Sequence, residues 1–175
     1  MFGIGDSKAM VGLDIGSSGI KAAELKRTRN GMTLAHAGFE PLPGELVVDS
    51  MIMDSPAVAT SVNKLLSDAG IKGRAIATSV SGHSVIVKRL SVPAMSEQEL
   101  DDHIHQEAAQ SIPFDIADVS LDYQVLSEDG DSQTDVILVA VKKDKILNYT
   151  NVLSMAGKQT AIVDIDGFAL QNCYE

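Results

Sequence analysis

At 175 residues and 45% apolar content the chain can bury a core, in one domain or two small ones. Its 24 acidic residues against 14 basic ones give a formal charge of −10, which argues against nucleic acid and against direct adsorption to anionic lipid. The balance suits a basic partner or plain solubility. One cysteine, Cys173, leaves no internal disulfide and fits a reducing compartment. No stretch approaches the ~20 apolar residues of a membrane span. The start Met1-Phe2-Gly3-Ile4-Gly5 has no basic n-region, and Phe2 stands where myristoylation needs glycine. The expected compartment is the cytoplasm.

In chain order, Met10 to Ile15 and Ile20 to Lys26 read as strands. Asn30-Gly31 signals a two-residue hairpin, so Met32 to Leu42 is a third strand antiparallel to the second. A loop covers 43–54. Ser55-Pro56 opens a helix, with serine as N-cap and proline at the first helical position. Val58, Val62, Leu65, Leu66 and Ala69 share a face, and Gly70 ends it. Arg74 to Val80 completes a βββαβ unit.

A second unit starts near Ser84 with a strand to Val92. Ser96-Glu97-Gln98-Glu99 is a capping box, and the helix it opens stops before Pro113. Val119, Leu121, Tyr123 and Val125 alternate with polar residues, the mark of a strand with one wet face. Glu128 to Thr134 reads as a polar hairpin loop. Val136 to Val141 is apolar throughout and reads as a central strand buried on both faces. Asp144 caps a helix ended by Gly157. This second unit is βαββα, over 84–157. Thr160 to Ile165 is a last strand, and Asp166 begins a last helix.

The chemistry concentrates at Asp14-Ile15-Gly16-Ser17-Ser18-Gly19-Ile20-Lys21. Glycines let a backbone approach an anion closely and take φ > 0, and successive N–H groups in such a turn form an anion-binding nest. Ser17 and Ser18 add donors. Asp14 suits Mg²⁺ held through water, and Lys21 supplies a mobile cation. Lys21 follows Gly16 too closely for a Walker A loop and is followed by Ala22. A plain hairpin with a solvent-facing aspartate explains the same residues.

That segment resembles the first phosphate motif of the actin/Hsp70/hexokinase ATPase superfamily. The blocks 41–54 (PLPGELVVDSMIMD), 85–100 (VIVKRLSVPAMSEQEL), 112–126 (IPFDIADVSLDYQVL), 135–144 (DVILVAVKKD) and 163–175 (VDIDGFALQNCYE) resemble the PilM family of type IV pilus assembly proteins. The resemblance implies an α/β fold, the first lobe of an actin-like (ribonuclease H-like) ATPase. Residues 1–83 plus 158–175 would form subdomain 1A, and 84–157 an inserted subdomain 1C. It also implies ATP or ADP with Mg²⁺ at Asp14, Gly16, Ser17, Ser18, Gly19 and Lys21 in a full two-lobed protein. No second phosphate motif or adenosine motif is found, so this half alone is expected to bind nucleotide poorly and hydrolyse none. The implied partner is the cytoplasmic N-terminal tail of PilN, an inner-membrane protein, held in a groove between 1A and 1C. Other pilus components and self-association are further expected partners, with the membrane reached only through partners. An FtsA-like division adaptor and the first lobe of a small-molecule kinase remain alternatives.

Other motifs have plainer readings. His103 and His105 are two residues apart and point to different faces of their helix, so they suit solvent better than a metal. Cys173 reads as a small buried hydrophobe. The acidic helix 97–107 is a solvated face or a rim for a basic peptide, with Glu97, Asp101 and Asp102 as the peptide-binding candidates. Val163-Asp164-Ile165-Asp166-Gly167 partly echoes the phosphate turn. Phe168, Ala169 and Leu170 follow it where small hydroxyl residues would be needed, which favours a strand end and helix cap.

Overall fold

The computed structural model describes residues 10–29, 31–129 and 133–174, with backbone only at 127–129. Met1 to Gly5, Asn30, the middle of the expected 128–134 loop and Glu175 lie outside the described residues. The chain divides into two compact units, 1–82 with 147–175, and 83–146.

The first unit is a five-stranded mixed sheet. Its strands are β1 (Val11–Ile15), β2 (Gly19–Thr28), β3 (Gly31–Pro41), β6 (Ala75–Val80) and β10 (Gln159–Ile165), in the spatial order β10-β6-β1-β2-β3. β1 and β6 run parallel, as do β6 and β10, whereas β1–β2–β3 is an antiparallel meander. Along β1 the side chains of Val11, Leu13 and Ile15 are buried while Gly12 and Asp14 are exposed, the alternation a pleated strand imposes. Helix α1 (Ser55–Asp68) packs on β2 and β3 and buries Val58, Val62, Leu65 and Leu66. Burying each contributes about 1.5–3 kcal/mol. Gly38 of β3 admits the helix closely: a Cβ there would stand 2.7 Å from the Leu65 side chain.

Local details depart from the sequence reading. Asp54, not Ser55, is the N-cap of α1, its carboxylate accepting from the Ala57 N–H at 3.0 Å. The proline therefore sits at the second helical position, where its missing N–H costs as little as at the first. The last β2–β3 pair is Thr28 with Gly31, one residue earlier than an Asn30-Gly31 turn requires. The expected loop 43–54 contains a small ribbon, β4 (Val47–Val48) and β5 (Met51–Ile52), joined by Asp49 and Ser50 at φ of 49° and 60°. Such turns favour Asn-Gly or Asp-Gly, so Asp-Ser gives no clear signal in the sequence.

The second unit is a three-stranded antiparallel sheet, β7 (Val85–Pro93), β8 (Val119–Asp129) and β9 (Gln133–Lys142), in the order β7-β9-β8. Helix α2 (Glu97–Ser111) covers one face. Its Leu100, Ile104 and Ala108, with Ile112 just beyond, pack on Val92 of β7 and Val136, Leu138 and Ala140 of β9. β9 is central as expected, but only one of its faces is closed: Ile137 and Val139 on the other are half-buried. The capping box forms, with Glu99 accepting from the Ser96 N–H at 3.0 Å and Ser96 from the Glu99 N–H. Those bonds hold the Glu99 carboxyl below its ordinary range, the side-chain bond from Ser96 most of all.

The unit boundary differs from the expected one. The sequence assigns helix α3 (Lys143–Met155) wholly to the insertion, yet from Leu147 onward it belongs to the first unit. The reason lies in its partners. The Tyr149 hydroxyl donates to the Ser50 carbonyl at 3.3 Å, and the Asn148 amide to that of Ile52 at 3.4 Å. Asp144 lies inside the first turn of α3, not at its cap. Helix α4 (Asp166–Tyr174) follows β10 directly and buries none of its residues, so Cys173 is exposed rather than buried.

Candidate functional site: the β1–β2 turn and the α2 carboxylates

β1 ends at the carboxyl edge of the parallel strands, the side on which open α/β sheets present ligand-binding loops. Asp14 pairs across the hairpin with Lys21 in register, and the Lys21 ammonium donates to Asp14 Oδ2 at 2.8 Å. Both side chains are more than half exposed, so the pair contributes about 0–1 kcal/mol and an incoming charge can take either partner at little cost. Ser17 and Ser18 are exposed at the tip. The Gly16 N–H donates to the Gly19 carbonyl at 3.0 Å, and the Ser18 carbonyl accepts from the Leu42 N–H at 3.1 Å, tying the turn to the end of β3.

The two glycines do different work from that expected. Neither has positive φ. Gly19 is buried, and a Cβ there would meet the Phe39 ring and stand 2.8 Å from the Glu40 carbonyl oxygen. It is required by packing against β3. At Gly16 a Cβ would stand 3.4 Å from its nearest neighbour, the Gly19 carbonyl, so the fold tolerates a side chain there. An exposed carboxylate, two exposed hydroxyls and a reversible cation suit a Mg²⁺-bound phosphate. A left-handed nest is not part of the arrangement.

Two further groups, Tyr149 and Asp166, are linked electrostatically to this turn. Tyr149 of α3 is 2% exposed, and its hydroxyl pKa is pushed up to about 12, first by burial and then by the negative fields of Asp166 and Asp14. Asp166, the first residue of α4, and Asp14 thus both act through their charge on one phenol. No short motif joins these three; only the parallel pairing of β10 with β6 brings the last helix to this edge. Asp164 accepts from the N–H of Ile165 at 2.7 Å, as a strand-end residue does. Among the described residues no group of three His, Cys, Asp or Glu side chains has metal-ligand geometry.

In the second unit Glu97, Asp101 and Asp102 are all exposed. Glu97 and Asp101, one helical turn apart, act with Asp122 on Tyr123 of β8. Their fields, after partial burial, raise the phenol above its ordinary range. The His105 ring nitrogen lies 2.9 Å from the Asp101 carbonyl oxygen. Three carboxylates from α2 and β8 thus act through their charge on one tyrosine, and Asp102 is not among them. The missed member, Asp122, belongs to the polar side of the alternating strand, where charge alone gives no signal.

Comparison with known proteins places this geometry in a class, a mixed-sheet α/β unit with an antiparallel unit inserted before the last parallel strand. The family model described as type IV pilus assembly protein PilM matches residues 12–175. The chain belongs to that family. A solved PilM–PilN type IV pilus biogenesis complex contains a chain 26% identical over 98% of this one, at a TM-score of 0.86. The present chain spans 51% of that protein, about half its length. The cytoplasmic domain of EpsL, an inner-membrane component of the type II secretion system of Vibrio cholerae, is 15% identical over 91% of this chain and 58% of its own, at a TM-score of 0.60, and shares the fold. A Bacteroides thetaiotaomicron protein of actin-like ATPase fold superposes at a TM-score of 0.46, with 8% identity over 98% of this chain and 59% of its own. No described helix is long and apolar enough to cross a membrane.

Proposed function

We propose that this chain is the scaffold half of a pilus-assembly protein that holds the cytoplasmic N-terminal tail of a PilN-type membrane protein. The observation that carries the reading is the superposition, over 98% of the chain, on a chain of a PilM–PilN complex. The tail is extended. Its basic residues meet the carboxylates of Glu97 and Asp101, with Asp102 beside them on α2. Such exposed pairs steer association more than they hold the complex. The work is cytoplasmic, at the inner membrane through partners, and serves pilus assembly and twitching motility. Further pilus components and copies of the protein itself complete the assembly.

The same reading gives the longer protein an ATP or ADP site at the β1–β2 turn. Asp14 would hold Mg²⁺ through water, Gly16, Ser17 and Ser18 would face the phosphates with Gly19 fixing the turn against β3, and Lys21 would be free to neutralise them. The metal supplies charge neutralisation when bound. Nucleotide then serves assembly rather than turnover.

Calorimetric titration of the folded chain with a synthetic PilN tail tests the scaffold. Binding that weakens with salt, and weakens less with salt after charge reversal of Glu97, Asp101 and Asp102, supports it. A folded chain that ignores the peptide at millimolar concentration overturns it for this half. In the full-length protein Asp14→Ala is expected to cost at least about tenfold in Mg²⁺-ATP affinity, about 1.4 kcal/mol. Unchanged affinity removes Asp14 from the site.

A further inference from the structure

β1 meets β2 only from Ile20 to Glu24, whereas β3 stays paired with β2 as far as Thr28 and Gly31. Beyond Glu24 a two-stranded ribbon therefore projects past the rest of the described sheet. Every described residue from Leu25 to Leu34 is exposed. A register shift after Glu24 sets Leu25 opposite Leu34 and Arg27 opposite Met32, with Lys26 opposite Thr33. Period-two alternation then puts Leu25, Leu34, Arg27 and Met32 on one face of the ribbon and Lys26 on the other, with Arg29 at the tip. Leu25, Met32 and Leu34 are 45%, 62% and 58% exposed. The segment 25–35 contains no carboxylate.

The end of the sheet behind the ribbon is also cationic. Glu24, Arg74 and Lys158 line a pocket of about 600 Å³ there, and Lys158 donates to the Gly73 carbonyl at 3.1 Å. Glu24 itself is buried, and Asp68 in the last turn of α1 is paired with Lys64. Asp14, Asp164 and Asp166 belong to the opposite end of the sheet. A chain of charge −10 thus sets Lys26, Arg27, Arg29, Arg74 and Lys158 toward one end of this sheet, a local excess that the whole-chain charge hides.

Cations on an exposed edge usually serve to prevent strand-to-strand aggregation. That role does not account for three large apolar side chains that the described residues leave exposed on the same ribbon. Basic residues around exposed leucine and methionine suit a bilayer surface, where apolar groups enter the headgroup boundary and cations meet anionic lipid. We propose that the β2–β3 ribbon docks on the anionic surface of a membrane, with Leu25, Met32 and Leu34 entering it and Lys26, Arg27, Arg29 and Arg74 holding it there. The contact is weak by itself and orients the protein while partners supply affinity.

Vesicle sedimentation of the whole chain tests this, using phosphatidylcholine with and without phosphatidylglycerol. The chain is expected to sediment with the anionic vesicles at low salt, to leave them at high salt, and to ignore pure phosphatidylcholine. The variant K26E/R27E/R29E should lose at least about tenfold in binding with its circular dichroism and melting unchanged. Leu25→Ser with Leu34→Ser should weaken binding and leave the remainder fully salt-sensitive. The natural chain has no tryptophan, so Met32→Trp gives a direct report: its fluorescence should shift to the blue on anionic vesicles. No vesicle binding at low salt, undiminished binding by the charge-reversed variant, or no blue shift overturns the proposal. So does binding that ignores the leucine substitutions and is equally competed by heparin, which would assign the ribbon to an acidic macromolecule.

Discussion

The two units each lay a helix on a sheet, and they secure it differently. In the first, the fit is made by the backbone. Gly38 lets Leu65 of α1 approach β3, and Gly19 lets the Phe39 ring and the Glu40 carbonyl close over the start of β2. In the second, the fit is made by side chains. Ile104, Val136, Leu138 and Ala140 fill the space between α2 and β9 without exposure, and a capping box fixes where α2 starts. The difference teaches where each unit is vulnerable. The first fails by adding atoms, the second by removing them.

The largest expected effect tests the second unit. Ile104→Ala leaves a cavity under α2 and should cost about 2–5 kcal/mol. Urea unfolding gives the size, and hydrogen exchange should show protection falling in 83–146 while β1 and β6 keep theirs. Next comes the first unit. Gly19→Ala forces a Cβ against backbone and ring and should cost about 1–3 kcal/mol. Gly16→Ala, three residues away, should stay within about 0.5 kcal/mol. Equal costs at the two glycines would break the distinction between a packing glycine and a permissive one.

A pH experiment sharpens it further. Tyr149 is held neutral by burial, its pKa raised to about 12 from an ordinary 10. The unfolded chain loses this proton near pH 10 and the folded chain keeps it. The stabilisation is thus whole below pH 10 and is lost as pH rises toward 12. The loss should be on the order of 1–2 kcal/mol, and Tyr149→Phe should remove that part of the alkaline slope. The smallest effect is at the cap: Ser96→Ala should cost about 1 kcal/mol in thermal or urea melts, confined to the second unit.

Short-range chemistry was legible in the sequence. The Ser96–Glu99 box, the alternation of Val11, Leu13 and Ile15, and the helical face of Val58 to Leu66 are each settled within a few residues, and each forms as read. What was not legible depends on distant partners. The periodicity of α3 says that it has a buried face but not which unit that face meets. Ser55-Pro56 reads as a helix start, yet Asp54 takes the cap because its carboxylate reaches the Ala57 N–H. At the candidate site, Asp14 and Lys21 were readable as neighbours across a short turn. Asp166 and Tyr149 were not, since they reach that turn from the far end of the chain. The ribbon beyond Glu24 was hidden because it depends on how far the described β1 pairs along β2.

The parallel pairing of β10 with β6 carries a consequence for how the molecule assembles. The whole second unit lies between these two strands in sequence, so joining them from an unfolded chain would close a long loop at a substantial entropic cost. The second unit removes much of that cost. Val85 pairs with Val141, and the Lys142 N–H donates to the Ser84 carbonyl at 3.0 Å, so its entrance and exit are stitched together once it folds. Its folding is confined to contiguous sequence, so it can precede the joining of β10 to β6. Once folded, it acts as a short tether delivering β10 to its place, so the insertion works as an internal chaperone for the sheet it interrupts.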